Sequence, residues 1–247
     1  MTSQSNTRVT TTLRALTLVV TIAILGLHTE TAAASRSSSE PVVIPPVGKI
    51  YDYLSVAWWK YALEQPNSTN PLLDATGAGC QSRQAGPVFF LVGTAGTGQV
   101  TRDECVVPFG KLLYFPVVNA FDVHTPGDGL DTPDLVWNDL HNTLGFRVDS
   151  LYASVDGKPV GDLNPDTSPY RACAGPSRGC ARAFAFNFPE ENLFGLAAGT
   201  YAPAVADGFY LLLPPLTPGP HTITFGGTGN LGGPFSVDVV YHLRVGR

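Results

Sequence analysis

The sequence predicts an all-β protein, an antiparallel β-sandwich of jelly-roll type with two short helices. Short apolar runs separated by glycine and proline dominate the chain, which has 26 Gly and 21 Pro among its 247 residues. Turns this frequent exclude a bundle of long helices. Because strands and helices do not alternate regularly along the chain, we expect the strands to pair with antiparallel neighbours.

The first 34 residues have the pattern of a secretory signal peptide. Arg8 and Arg14 precede the apolar run 15–27, and Ala32 and Ala34 form a small-x-small cleavage pattern. The run is shorter than the roughly 20 apolar residues of a spanning helix, so we expect no membrane span after cleavage. The mature protein is therefore predicted to be secreted, either to the periplasm or to the extracellular space.

The mature chain is expected to form one domain behind a short linker. Residues 35–46 are rich in Ser and Pro without periodicity and predict the linker, and residues 47–247 predict a single secreted β-sandwich domain. A formal net charge of -5 argues against binding to a phosphate backbone, so nucleic acid is not the expected partner.

Two segments have helical patterns. Apolar side chains recur at helical spacing over 51–65, and Pro66 ends the run. The second helix begins with Thr132 as N-cap and Pro133 in the first turn, and it closes at Gly145. Aromatic residues on the first helix suggest either a core face or a platform for stacking a sugar.

Most of the remaining chain has strand patterns. Short continuous apolar runs over 88–92 and 112–118 predict strands buried on both faces, and phenylalanines alternate over 184–188. The GTAGTG run at 93–98 lacks the Lys-Ser/Thr of a phosphate-binding loop and predicts a hairpin loop instead.

The C-terminal region predicts a hairpin that joins 221–225 to 235–245. Period-2 alternation places one apolar face of each strand toward the core. The predicted inward residues are Ile223, Phe225, Val237, Val239, Tyr241 and Leu243.

Four cysteines, Cys80, Cys105, Cys173 and Cys180, lie in the predicted mature chain. Because export exposes thiols to an oxidising compartment, we expect them to form disulfides. Three pairings are possible, and we favour Cys80 with Cys105 and Cys173 with Cys180. The spacings do not match a zinc site.

One polar loop is a weak candidate for a metal site. It places Asp122, His124, Asp128 and Asp131 around two glycines, and carboxylates on such a loop suit Ca²⁺. The loop lacks the alternating acids of a regular calcium loop, so the favoured interpretation is a solvated loop whose side chains make turns and cap the next helix.

The sequence contains no established catalytic motif. Neither a Gly-x-Ser-x-Gly elbow nor a His-Glu-x-x-His pattern occurs, and no cofactor is expected. Glu190, Glu191 and Asp207 flank one loop, where a pair of acids would suit a glycosidase if the carboxyl groups faced each other about 5 to 10 Å apart.

Several sequence blocks resemble a family of secreted bacterial proteins without an established activity. They are the WW pair at 58–59, QAGPVFFLVGT, VVPFGKLLYFPVVNA, the stretch FGLAAGTYAPAVADGFYLLLPPLTPGPHTITFGG and the closing VDVVYHLRV. The resemblance implies export and a single β-rich domain, and it assigns no catalytic residue.

These observations predict a secreted, non-enzymatic β-sandwich protein that binds an extracellular ligand or surface component, with carbohydrate as a candidate ligand. The alternative is an extracellular, glycosidase-like hydrolase that uses acidic residues such as Glu190 and Glu191.

Overall fold

The structure is a computed structural model that describes residues 40–94 and 98–246. The predicted signal peptide lies outside these residues. The helices are α1 (Ile50–Leu63) and α2 (Pro133–Asn138), with a 3-10 turn at Asn67–Thr69 and a π-helical turn at Asp139–Thr143 that continues α2. The strands are β1 (Val88–Phe90), β2 (Gly98–Arg102), β3 (Val106–Val107), β4 (Leu112–Val123), β5 (Arg147–Val155), β6 (Lys158–Pro159), β7 (Arg171–Ala174), β8 (Phe184–Phe188), β9 (Gly199–Leu213), β10 (Gly219–Asn230) and β11 (Pro234–Val245).

The strands form two sheets, which confirms the predicted all-β sandwich. The first sheet has the order β1-β4-β9-β7, with β8 also paired to β9, and the second has the order β2-β11-β10-β5-β6, with β3 also paired to β11. Most pairs are antiparallel, but β1 runs parallel to β4, and β2 and β3 run parallel to β11. The sheets are therefore mixed at one edge.

Three apolar clusters hold the layers together. The largest lies between the two sheets and includes Phe115, Phe225 and Tyr241. A second cluster joins the first sheet to α1 through Trp58 and Tyr210, and a third packs α2 beside β4 and β9. The helix α1 thus covers the outer face of the first sheet.

Both helices and the C-terminal hairpin match the expectations from sequence. The side chain of Thr132 caps α2 by accepting a hydrogen bond from the Leu135 amide at 3.3 Å. In the hairpin, Phe225 lies opposite Val239 and Ile223 lies opposite Tyr241, and all four are buried. The predicted inward faces of these residues are confirmed, and β10 and β11 extend beyond the predicted 221–225 and 235–245.

Both favoured disulfides are present. The Cα atoms of Cys80 and Cys105 are 5.6 Å apart, and those of Cys173 and Cys180 are 4.8 Å apart. Both separations lie in the range that a disulfide requires.

Two local expectations differ from the structure. The segment 93–98 was expected to turn a hairpin, but β1 belongs to the first sheet and β2 to the second, so this connection passes between sheets. The packed domain also begins before residue 47, because Val43 packs into the intersheet core and the Ile44 amide donates to the Leu212 carbonyl at 2.8 Å.

Candidate functional site

A cleft opens along one edge of β4. The strand β1 pairs with β4 only at Leu112, Leu113 and Tyr114, whereas β9 pairs with β4 as far as Val123. Within the described chain, the side of β4 beyond Tyr114 has no further strand partner. A cavity of about 760 Å³ lies along residues 116–123 at this open edge.

Residues from both sheets and from the loops around them line the cleft. They come from β4, from α1, from the connection between β8 and β9, and from the β10–β11 turn with the start of β11. The segments 72–73 and 93–94 and the loop after β4 complete the lining. The cleft therefore lies beside β4 with residues of the second sheet next to it.

Large apolar side chains line the cleft and reach its rim. The Trp59 ring lies 4.5 Å from the Phe121 ring, and Phe121 lies 5.7 Å from Phe194, measured between centroids. At the rim, Leu73 is 50% exposed, Phe194 is 53% exposed and Leu231 is 39% exposed. A cleft with both an apolar interior and an exposed apolar rim is typical of a binding site.

Two buried polar atoms of the cleft residues, Nε1 of Trp59 and Oδ2 of Asp122, have weaker partners than is usual for buried groups. Nε1 of Trp59 lies near the Tyr210 hydroxyl, and the Asp122 carboxyl lies beside the Asp139 carboxyl. Of the two groups, the Asp122 carboxylate gains more from a cation, because its neighbour is a second acid.

The charge of the cleft is acidic. Among the described lining residues, Asp122 and Asp128 are the only charged side chains. Desolvation is the largest effect on Asp122 and raises its pKa to about 6; a hydrogen bond from the Val123 amide opposes the rise, and the Asp139 and Asp128 carboxylates add to it. Near neutral pH, Asp122 is a poorly solvated anion that a cation or a hydroxyl donor would stabilise.

The predicted metal residues lie near each other, but most of them form hydrogen bonds and ion pairs within their own loop. Nδ1 of His124 lies 2.8 Å from Asp128, and Nε2 of His124 lies 3.8 Å from the exposed Asp131. Asp128 also accepts hydrogen bonds from the Thr125 hydroxyl and the Leu130 amide, both at 2.8 Å. Asp122 faces the cleft instead. In the part of the chain that the structure describes, no three His, Cys, Asp or Glu side chains are grouped to hold a metal ion.

The three acids predicted as a group within 190–207 lie in different surroundings, because two are exposed and one is buried. Glu190 and Glu191 are exposed between β8 and β9, and neither lines the cleft. Asp207 is buried in β9, where it accepts from Nε of Arg171 at 2.9 Å and from its terminal nitrogen at 2.6 Å.

His141 completes this second acidic centre, which we call the Asp207 clamp and define as Asp207, Arg171 and His141. Nε2 of His141 lies 2.9 Å from Asp207, and Nδ1 lies 3.0 Å from the Trp137 carbonyl. Because a carboxylate and a carbonyl both accept, the ring is best satisfied as a doubly protonated imidazolium. No ring nitrogen is left to act as a base, so the clamp is structural.

The pKa shifts in the clamp agree with this geometry. Desolvation raises the pKa of Asp207, but hydrogen bonds from Arg171 and His141 outweigh it and lower the pKa overall. Desolvation lowers the pKa of His141, and the hydrogen bond with Asp207 reverses the effect and raises it.

Comparison of the chain with protein-family models, curated proteins and solved structures finds no match. The resemblance to secreted bacterial proteins therefore stays a prediction. Among the described residues, no helix has the length and apolar character needed to cross a membrane.

Sequence reasoning found residues of the cleft without finding the cleft itself. Tyr51, Trp58 and Trp59 are buried and Tyr53 is 62% exposed, so the aromatic group on α1 does not form one exposed platform. Both tryptophans line the cleft instead, as do Asp122 and Asp128 of the predicted metal residues.

Proposed function

We propose that this protein is a secreted, non-enzymatic binding protein that takes an apolar ligand with one polar or cationic group into the cleft beside β4. The observation that carries the proposal is the open apolar cavity with its exposed apolar rim, next to the desolvated Asp122 carboxyl. A ligand that buries its apolar part there and places a polar or cationic group near Asp122 would cover the rim and stabilise the carboxylate.

The size and chemistry of the cleft support a small apolar ligand over a carbohydrate. A volume of about 760 Å³ lies in the range of pockets that hold small molecules. Carbohydrate hydroxyls need many polar partners, whereas Trp59, Phe121 and Phe194 offer mainly apolar surface.

The two disulfides support export, since disulfides persist in oxidising compartments. Together with the predicted signal peptide, they favour a secreted protein.

The absence of catalytic geometry in the described cleft favours binding over hydrolysis. Of the two acids in the cleft, Asp122 lies near the end of β4 and Asp128 lies in the turn that follows. Hydrogen bonds from its own loop hold Asp128 in place. The glycosidase-like alternative predicts that an Asp122→Asn variant loses turnover of a polysaccharide, whereas a binding protein has no turnover to lose.

The test is titration with the neutral dye Nile red, whose fluorescence rises in apolar surroundings. We expect saturable binding that is weakened about tenfold or more by Phe194→Ser, because this ring supplies much of the apolar rim. Phe109→Ser is the matched control, since Phe109 is 57% exposed and does not line the cleft. Equal loss in both variants, or no saturable binding by the wild type, would contradict the proposal.

A second variant fills the cleft directly. A Cβ on Gly233 meets no atom within 4 Å, so Gly233→Trp is expected to fold and to block dye binding. The control Gly246→Trp lies outside the cleft, and the nearest atom to its Cβ is 3.8 Å away. The control should bind the dye as the wild type does.

A further inference from the structure

The open edge of β4 presents backbone groups as well as side chains. The His124 amide donates to the Pro203 carbonyl at 3.0 Å, whereas the Val123 amide donates to its neighbour Asp122 at 2.8 Å. Residues alternate in direction along an antiparallel strand, so Phe121 and Asn119 direct their backbone N–H and C=O groups away from β9. Val123 directs its C=O the same way, while its N–H is held by Asp122. These groups face the side of β4 that lacks a strand partner within the described chain.

The length of this edge suits a short strand. It begins at Pro116, which has no N–H to leave unpaired, and it ends where β4 ends at Val123. Unpaired edges of this kind attract extended chains, because main-chain hydrogen bonds form with any sequence.

The two faces of an added strand would both meet apolar surface. Phe121 and Trp59 lie on the α1 side, and Phe235 and Val237 lie on the side of the second sheet. Alternate side chains of an incoming strand would enter these two walls in turn.

The negative charge of the cleft indicates which end of a peptide would bind there and in which direction the peptide would run. Asp122 and Asp128 lie at the C-terminal end of the β4 edge, and the described lining residues include no Lys, Arg or His. An antiparallel strand brings its N-terminus to this end, where a free α-amino group is positively charged near neutral pH. The acids are therefore complementary to the N-terminus of a peptide.

We propose that the cleft captures the N-terminal segment of an extended apolar peptide as an antiparallel strand on the open edge of β4, with its α-amino group beside Asp122 and Asp128. This inference rests on the proposed function, since it names the ligand class of the same cleft. In this arrangement the amine lies near the Asp122 carboxyl and offsets its repulsion with the neighbouring Asp139 carboxyl.

The probe is a hexapeptide of alternating valine and threonine with a free N-terminus, studied by calorimetry at pH 7. N-acetylation should weaken binding about tenfold, because it removes the charge that pairs with Asp122. Asp122→Asn should weaken the free peptide and leave the acetylated one nearly unchanged. Gly233→Trp should abolish binding of both peptides, and Gly246→Trp should not.

Backbone N-methylation tests the strand pairing separately. Methylation of every second amide, on the edge of the peptide that faces β4, should abolish binding. Methylation of the intervening amides, on the opposite edge, should have little effect, because those amides do not pair with β4. Equal binding of both methylated peptides would overturn strand capture, and equal binding of the free and acetylated peptides would overturn the role of the amine.

The outcomes separate this inference from the proposed function. If Nile red binds the cleft and no peptide does, peptide capture is wrong and the proposed function stands. If neither binds, both are wrong. Dimerisation through the cleft, or peptide binding only after residues 1–39 are removed, would also overturn the inference, because the edge would then be occupied by the protein itself.

Discussion

Two aspartates on neighbouring strands have opposite surroundings. Asp122 on β4 lies opposite Val205 of β9, and Asp207 on β9 lies opposite Ala120 of β4, so the two residues are close in the same ladder. Asp207 accepts three hydrogen bonds from Arg171 and His141, and its pKa is lowered. Asp122 accepts a hydrogen bond from the adjacent Val123 amide and lies beside the Asp139 carboxyl, and desolvation is the main reason that its pKa is raised to about 6.

This difference separates a structural group from a site. A buried acid that is paired with cations of the fold stabilises that fold, whereas a desolvated acid beside other acids at a cavity costs stability and gains from a cation. The following expectations test each half of the comparison.

The largest effect is expected from breaking the Asp207 clamp. Asp207→Ala leaves Arg171 and His141 without their shared acceptor and should lower the free energy of unfolding by about 3 kcal/mol, because Arg171 is half exposed and recovers some solvation. For a domain of this size, the melting temperature should fall by roughly 6 to 12 °C. An unchanged melting temperature would show that the clamp does not stabilise the fold.

The stability that the clamp contributes should fall both at low pH and at high pH. The lowered pKa of Asp207 gives stability that is present above about pH 4 and is lost as the pH falls through the folded value. The raised pKa of His141 gives stability that is complete below about pH 6.5 and is lost as the pH rises through the folded value.

His141→Gln isolates the alkaline part of this dependence. In urea unfolding from pH 3 to 9, the variant should keep the acid loss due to Asp207 and lack the loss above pH 6.5. If the variant keeps the full loss of stability above pH 6.5, groups other than His141 cause that loss.

A smaller change in the free energy of unfolding, of opposite sign, is expected when Asp122 is replaced. Its raised pKa means that the folded state binds a proton more tightly than the unfolded state, so stability falls as the pH rises from about 4 to 6. Asp122→Asn should therefore stabilise the protein by about 1 kcal/mol above pH 6, after discounting for its contact with solvent. The two proteins should converge below pH 4, and a destabilised variant at pH 7 would mean that the fold stabilises the ionised form of Asp122.

The smallest stability effects are expected at Glu190 and Glu191. Both are exposed, so Glu190→Gln and Glu191→Gln should change the free energy of unfolding by less than about 0.5 kcal/mol and leave dye binding unchanged. A loss of binding or of any hydrolytic activity in these variants would favour the glycosidase-like alternative.

The elements with local signals could be predicted from the sequence. The 3.6-residue period predicted α1, the Thr132-Pro133 pair predicted the start of α2, and the period of 2 predicted that Phe225 and Val239 face the core. The Cys173–Cys180 disulfide closes a short loop, and Cys80–Cys105 followed from a preference among the three pairings.

The cleft and the Asp207 clamp had no local signal. The cleft exists because β1 follows β4 for three residues only, which depends on how the chain leaves one sheet for the other. The clamp joins His141, Arg171 and Asp207 from three distant segments. The same crossing between sheets explains why residues 93–98 do not form the predicted hairpin.

The most direct test is a carboxyl-carbon NMR titration of Asp122 and Asp207, with and without n-octylamine, which joins an apolar chain to one cation. We expect Asp122 to titrate near pH 6 in the free protein and at a distinctly lower pH with octylamine, while Asp207 stays ionised through this range in both samples. An Asp122 midpoint near the ordinary value of about 4, unchanged by octylamine, would contradict the assignment of the cleft as a ligand site.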